Sequence, residues 1–130
     1  MFIDFISEQL PKNHYLLAFT RHKVIGGWLV RAIFTDRGHG AGGKTETSLF
    51  IADAGHSWQP VNFIWEKIQV EPGGGVYRSK VIGGWIIMTT AQGSAKTTEG
   101  ELYRTRLGSL AFVPDQDHSW ECSVIAEKVA

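Results

Sequence analysis

Cysteine is almost missing from this chain. Cys122 stands alone in 130 residues, so no intramolecular disulfide holds the fold, which suits a reducing compartment. Neither sign of charge is in excess. Thirteen acidic and thirteen basic residues cancel, so no global field draws in nucleic acid or an anionic membrane. Long apolar runs are lacking too, and none approaches the roughly 20 residues of a membrane helix. The opening MFIDFISEQL sets Asp4 and Glu8 inside its apolar run with no basic segment ahead of them, unlike a secretory signal. One soluble, cytoplasmic domain over 1–130 is the expectation, long enough for a single sizeable core.

Glycine, in contrast, is plentiful at fifteen residues. Gly38 to Thr45 reads GHGAGGKT, which satisfies the phosphate-loop pattern G-x-x-x-x-G-K-[ST]. A working phosphate loop needs a helix directly after it, because the helix N-terminus and the loop N–H groups together hold the phosphates. The residues that follow, Thr45-Glu46-Thr47-Ser48-Leu49-Phe50-Ile51, favour a strand. The chain also has no alternating strand–helix pattern. A glycine-rich hairpin loop is the better reading, with Lys44 at most a mobile cation.

The chain repeats itself. Arg21-His22-Lys23-Val24-Ile25-Gly26-Gly27-Trp28 matches Arg78-Ser79-Lys80-Val81-Ile82-Gly83-Gly84-Trp85 at seven of eight positions. Downstream, Phe50-Ile51-Ala52-Asp53-Ala54-Gly55-His56-Ser57-Trp58 matches Phe112-Val113-Pro114-Asp115-Gln116-Asp117-His118-Ser119-Trp120. A fainter echo follows each His-Ser-Trp: Ile64-Trp65-Glu66-Lys67-Ile68 and Ile125-Ala126-Glu127-Lys128-Val129. Phe5-Ile6-Ser7-Glu8-Gln9-Leu10 is a weak third. The repeats span approximately 16–68 and 74–129.

Each copy reads as strands. Gly-Gly between apolar runs suits a two-residue hairpin turn, and WLVRAIFT and WIIMTTA are rich in β-branched and aromatic residues. SLFIAD and LAFVPD read as short buried strands ending at a turn-forming Asp. Up to Pro11, the spacing of Phe2, Ile3, Ile6 and Leu10 favours a short amphipathic helix, whereas the third echo argues for a strand. The expected fold is all-β, with one short N-terminal helix at most. Two tandem antiparallel meanders would form a pseudo-twofold barrel or sandwich, since each half alone exposes an apolar face. A copy also has the size of a four-stranded propeller blade, in which case several chains would be needed to close a ring.

Two sets of duplicated polar residues stand out as candidate sites. Arg21 and Lys23, like Arg78 and Lys80, lie two apart and project from one strand face. With Trp28 and Trp85 they would present cations and an indole to an anionic, planar ligand such as a nucleotide. The competing reading is cross-strand ion pairing to Glu66 and Glu127, with the tryptophans in the core. The second set is Asp53 and His56 with Asp115 and His118, able to hold a metal only if both pairs converge on the axis. Asp53, His56 and Ser57 include the residue types of a hydrolase triad, but adjacent His56 and Ser57 point apart in extended structure. Capping of a tight turn by the Asp, with the Trp plugging the core, is the simpler role. Tyr103, Arg104 and Arg106, with Lys96 and Glu99 to Glu101, read as a solvated loop face between Gln92 and Gly108.

Locally, Ile51 to Trp58 resembles the Asp-box hairpin S-x-D-x-G-x-[ST]-W of sialidase-type propellers and other β proteins. Ile51 and Val113 replace its Ser, and Asp117 replaces its Gly. The resemblance covers eight residues and implies a structural β turn, not an activity. The resulting expectation is a non-enzymatic β-protein that binds a small anionic ligand or assembles, as a homo-oligomer and without a cofactor. A carbohydrate-binding module, using stacked tryptophans, and a small metal-dependent hydrolase on the Asp/His pairs are the alternatives.

Overall fold

The computed structural model describes residues 5–12, 16–35, 44–60, 63–71, 74–96, 98–100 and 102–125. Eight strands follow in chain order: β1 (Ser7–Gln9), β2 (Leu16–Val24), β3 (Gly27–Thr35), β4 (Lys44–Ala52), β5 (Glu66–Glu71), β6 (Gly74–Val81), β7 (Gly84–Lys96) and β8 (Leu102–Pro114). They form two four-stranded antiparallel meanders, β1-β2-β3-β4 and β5-β6-β7-β8. The all-β class and the tandem repeat are therefore seen directly. No helix occurs among the described residues. The segment around Ser7 is a strand because its Glu8 sits beside Arg21 in the β1–β2 ladder, as Glu66 sits beside Arg78 in β5–β6. The weak third echo was the true signal there, and the helical spacing of Ile6 and Leu10 was not. Phe2 and Ile3 lie outside the described residues.

The GGW hairpins form in both copies, with a different turn from the Gly-Gly one expected. Val24 pairs with Gly27, so the turn residues are Ile25 and Gly26. Only Gly26, and Gly83 in the second copy, has positive φ, near 80°, a pattern that suits a type II rather than a type I′ turn. The second glycine has another task. A Cβ on Gly27 would lie 2.0 Å from the Ile51 carbonyl oxygen, and one on Gly84 2.1 Å from that of Val113. These glycines let two backbones touch. Register then puts Lys23 opposite Trp28 and Arg21 opposite Val30, so Lys23 lies across from the indole. The expected loop from Gln92 to Gly108 is mostly ladder, since β7 and β8 stay paired out to Lys96 and Leu102. β4 and β8 are edge strands with one open face rather than buried ones; Phe50 is 51 % exposed.

One core joins the two sheets. Each sheet has a Trp face, carrying Trp28 or Trp85, and a reverse face. On β3 and β4 of the first sheet the buried side chains are Trp28, Val30, Ala32, Phe34 and Ile51, all on the Trp face; on β2 the reverse face buries His22, beneath Phe5. In the second sheet Ile86, Met88 and Leu110 are buried, and they lie on the reverse face, out of phase with Trp85. The Trp face of the first sheet thus packs on the reverse face of the second, and Phe34 meets Gly108, where a Cβ would fall 2.4 Å from the ring. A sandwich results, as expected. Its symmetry is a stacking step rather than a dyad, because a dyad would bring like faces together. The substitution that marks this is Arg31, exposed enough to pair with Glu46, where the second copy has buried Met88.

Candidate functional site

The duplicated residues of each copy converge on one cluster at the hairpin end of its sheet. After β4 the chain turns at Asp53, whose carbonyl accepts the His56 N–H while its own N–H donates to Gly26. His56 closes the turn at φ 49° and His118 its counterpart at 51°. The Asp53 carboxylate accepts hydrogen bonds from Trp28 Nε1–H at 2.9 Å, the Trp58 amide at 2.8 Å and the Ser57 hydroxyl at 3.2 Å, and from the Ser57 amide. Asp115 repeats this with Trp85 at 2.9 Å, the Trp120 amide at 2.9 Å, the Ser119 hydroxyl at 3.2 Å and the Ser119 amide at 3.1 Å.

The electrostatics follow from those bonds. Burial would raise the Asp53 pKa, but the donors from Trp28, Ser57 and Trp58 outweigh it and hold the group at about 2. For Asp115 the Trp85 indole is the leading cause, followed by the Trp120 and Ser119 amides, and the pKa is again about 2. His56 Nε2 lies 2.7 Å from the Val24 carbonyl and 2.9 Å from that of Gly27. Two acceptors require a proton on that nitrogen, so it donates and has no lone pair for a metal. His118 does the same toward Val81 and Gly84. Among the described residues no group of three or more His, Cys, Asp or Glu could hold a metal ion.

Arg21 and Arg78 complete the clusters from the second strand of each sheet. Arg21 Cζ sits 3.8 Å from the Trp28 ring centre and 5.1 Å from that of Trp58. Its guanidinium donates to the Trp58 carbonyl at 2.7 Å and to Glu8 at 2.9 and 3.1 Å. Arg78 stacks on Trp85 and Trp120, donates to the Trp120 carbonyl at 2.7 Å and pairs with Glu66 at 3.2 Å. Of the predicted ion-pair partners Glu66 is in place, and Glu127 lies outside the described residues. Glu8 was missed, although the third echo carried it.

These clusters place the candidate ligand-binding residues in two groups. Arg21, Trp28, Arg78 and Trp85 are buried and bonded within the protein. Lys23 and Lys80 are exposed, with their Nζ atoms 5.9 and 5.8 Å from the Trp28 and Trp85 ring centres. Lys80 also borders a shallow cleft of about 400 Å³ where the first copy's Asp turn meets the second copy's hairpin; Trp58, Phe63, Val81 and His118 form its walls. The phosphate-loop motif runs into β4, a strand, so its Lys44 and Thr45 start no helix; Gly38 to Gly43 lie outside the described residues.

No family model, curated protein or solved structure matches this chain. No helix among the described residues is long and apolar enough to cross a membrane. The fold and the clusters define a two-sheet all-β domain built by tandem duplication.

Proposed function

We propose that this chain is a non-enzymatic assembly module, a pair of stacked sheets that presents its outer faces to other protein. The observation that carries this reading is the packing of unlike faces. Stacking a Trp face on a reverse face uses one of each inside the chain and leaves one of each open. The repeated polar residues favour the same reading, because their bonds are spent holding the hairpin, the Asp turn and the first strand of each sheet together. None of them combines a nucleophile with a base and an oriented third group. Sedimentation velocity over a wide concentration range tests it. Particles at integral multiples of 14.4 kDa support assembly, and a chain that stays monomeric at every concentration and binds no other protein refutes it.

The cleft at the copy junction supports a second reading, a small anionic ligand held by Lys80 over an apolar floor. Trp58 lines it, so titration with inorganic phosphate or a nucleotide would change indole fluorescence. Weakening with added salt identifies charge as the attraction, and a flat titration removes this reading.

A further inference from the structure

The assembly reading names a function but not a partner. Resting on that reading, we infer that the partner is a second copy of this chain, stacked head to tail. The open Trp face of the second sheet seats on the open reverse face of the first sheet of the next copy.

The open Trp face is built like an interface. On β7 and β8 its described residues beyond Trp85 include Ile87, Thr89, Leu107, Ser109, Ala111 and Val113, and none is charged. Leu107 is 46 % exposed and Val113 38 %. It ends at β8, a free edge strand. β8 carries Arg104 and Arg106 at ladder positions that alternate with those of this face, so an uncharged row runs out to the edge, and an exposed apolar patch of that kind calls for a cover. The open reverse face of the first sheet offers Phe50, together with Leu29, Ile33 and an ion pair, Arg31–Glu46, that carries no net charge.

The internal contact is the template for how the two would fit. There Phe34 on the Trp face of β3 reaches Gly108 on the reverse face of β8. The ladder registers make Ala91 the counterpart of Phe34, and Glu46 the counterpart of Gly108. Large against small inside the chain becomes small against large between chains, so the same spacing accommodates both. A contact between unlike faces is heterologous. Repeated, it closes a ring or grows a filament, and it cannot make a twofold dimer.

The test is disulfide trapping in a Cys122→Ser background. Ala91→Cys and Glu46→Cys are made as separate chains, diluted, mixed and mildly oxidised. Head-to-tail stacking predicts at least tenfold more cross-linked product from the mixture than from either variant alone. It also predicts a closed ring or an open ladder from the double variant. Ala91→Cys chains that cross-link to each other would show like faces meeting, which overturns this inference and leaves the assembly reading standing. Oligomers that cross-link in neither combination also overturn the pairing, and so does a monomer throughout. Should the cysteine chains misfold, Ala111→Asp gives an independent reading on an exposed site. It should raise the self-association constant Kd at least tenfold with an unchanged urea midpoint; unaltered association refutes the inference.

Discussion

The two Asp-turn clusters contain the same bonds in different surroundings. Indole to carboxylate, amide to carboxylate and guanidinium to carbonyl agree between copies within about 0.1 Å. Yet Asp53 and Trp58 are buried, with Trp58 packed near Phe63, whereas Asp115 and Trp120 are half-exposed. Duplication dictates which groups bond. The segment that follows each cluster dictates whether water competes for those bonds, and so how much each one matters.

The largest effect should be equal in the two copies. Gly27→Ala and Gly84→Ala each force a Cβ against a carbonyl oxygen of the neighbouring strand, which the backbone must relieve by moving. Each should cost roughly 3 kcal/mol or more in urea unfolding, and a difference of over twofold between them would show that context reaches even the backbone contact. Asp53→Ala and Asp115→Ala should differ. The first strands the buried Trp28 indole N–H and Trp58 amide, at about 2–3 kcal/mol. The second also frees the buried Trp85 indole N–H, but Asp115 and Trp120 are half-exposed, so water can enter from the vacated side and the loss should be smaller. Equal losses would mean that Asp115 is shielded as well as Asp53.

Acid sharpens the comparison further. Both Asp pKa values are depressed to about 2 from an ordinary 3.8. Their contribution is complete above the ordinary value and lost as pH falls from 3.8 toward 2, because the unfolded chain takes up protons first. His22 acts at higher pH and in the first copy only. Burial lowers its pKa, and Arg31 adds repulsion; Phe5 stacks on the ring at 4.4 Å. Its lowered pKa makes the native state resist protonation, so stability is full above 6.5 and declines as pH falls below it. A urea midpoint followed from pH 8 to 2 should therefore fall in two stages. His22→Ser, which copies the second repeat's Ser79, should remove the upper stage, and Asp53→Asn should reduce the lower one.

Much of this architecture was legible because duplication supplies its own alignment. KVIGGW announced two hairpins, and DxxHSW announced two turns. Residue identity alone did not say which glycine would turn and which would let backbones touch, since that depends on the Ile51 and Val113 carbonyls beyond the loop. Nor did it reveal Glu8 as the partner of Arg21, because the helical spacing of Ile6 and Leu10 competed with a faint echo. The stacking sense was present in sequence as Arg31 against Met88. It becomes readable only when the two copies are compared face by face, as a reversal of which side is apolar. The burial of Arg21 and Arg78 was the hardest to anticipate, because a cation on a strand looks the same whether it meets solvent or a sandwich of two indoles.

The smallest effect on stability concerns the lysines, and it separates structure from binding. Lys23→Ala and Lys80→Ala remove exposed side chains whose ammonium groups lie nearly 6 Å from their indoles, so each should change stability by less than about 0.5 kcal/mol. Ligand response should not be equal. Of the two lysines Lys80 borders the cleft with Trp58 and Phe63, because that cleft needs a preceding Asp turn, and none precedes Lys23 among the described residues. An anion-induced change in indole fluorescence should therefore vanish in Lys80→Ala and persist in Lys23→Ala. Equal loss in both would move the binding surface to the hairpins themselves. If copies stack head to tail, however, the next chain's Asp turn comes to lie beside Lys23. A Lys23 contribution that appears only at concentrations where the protein assembles would then count the junctions between chains.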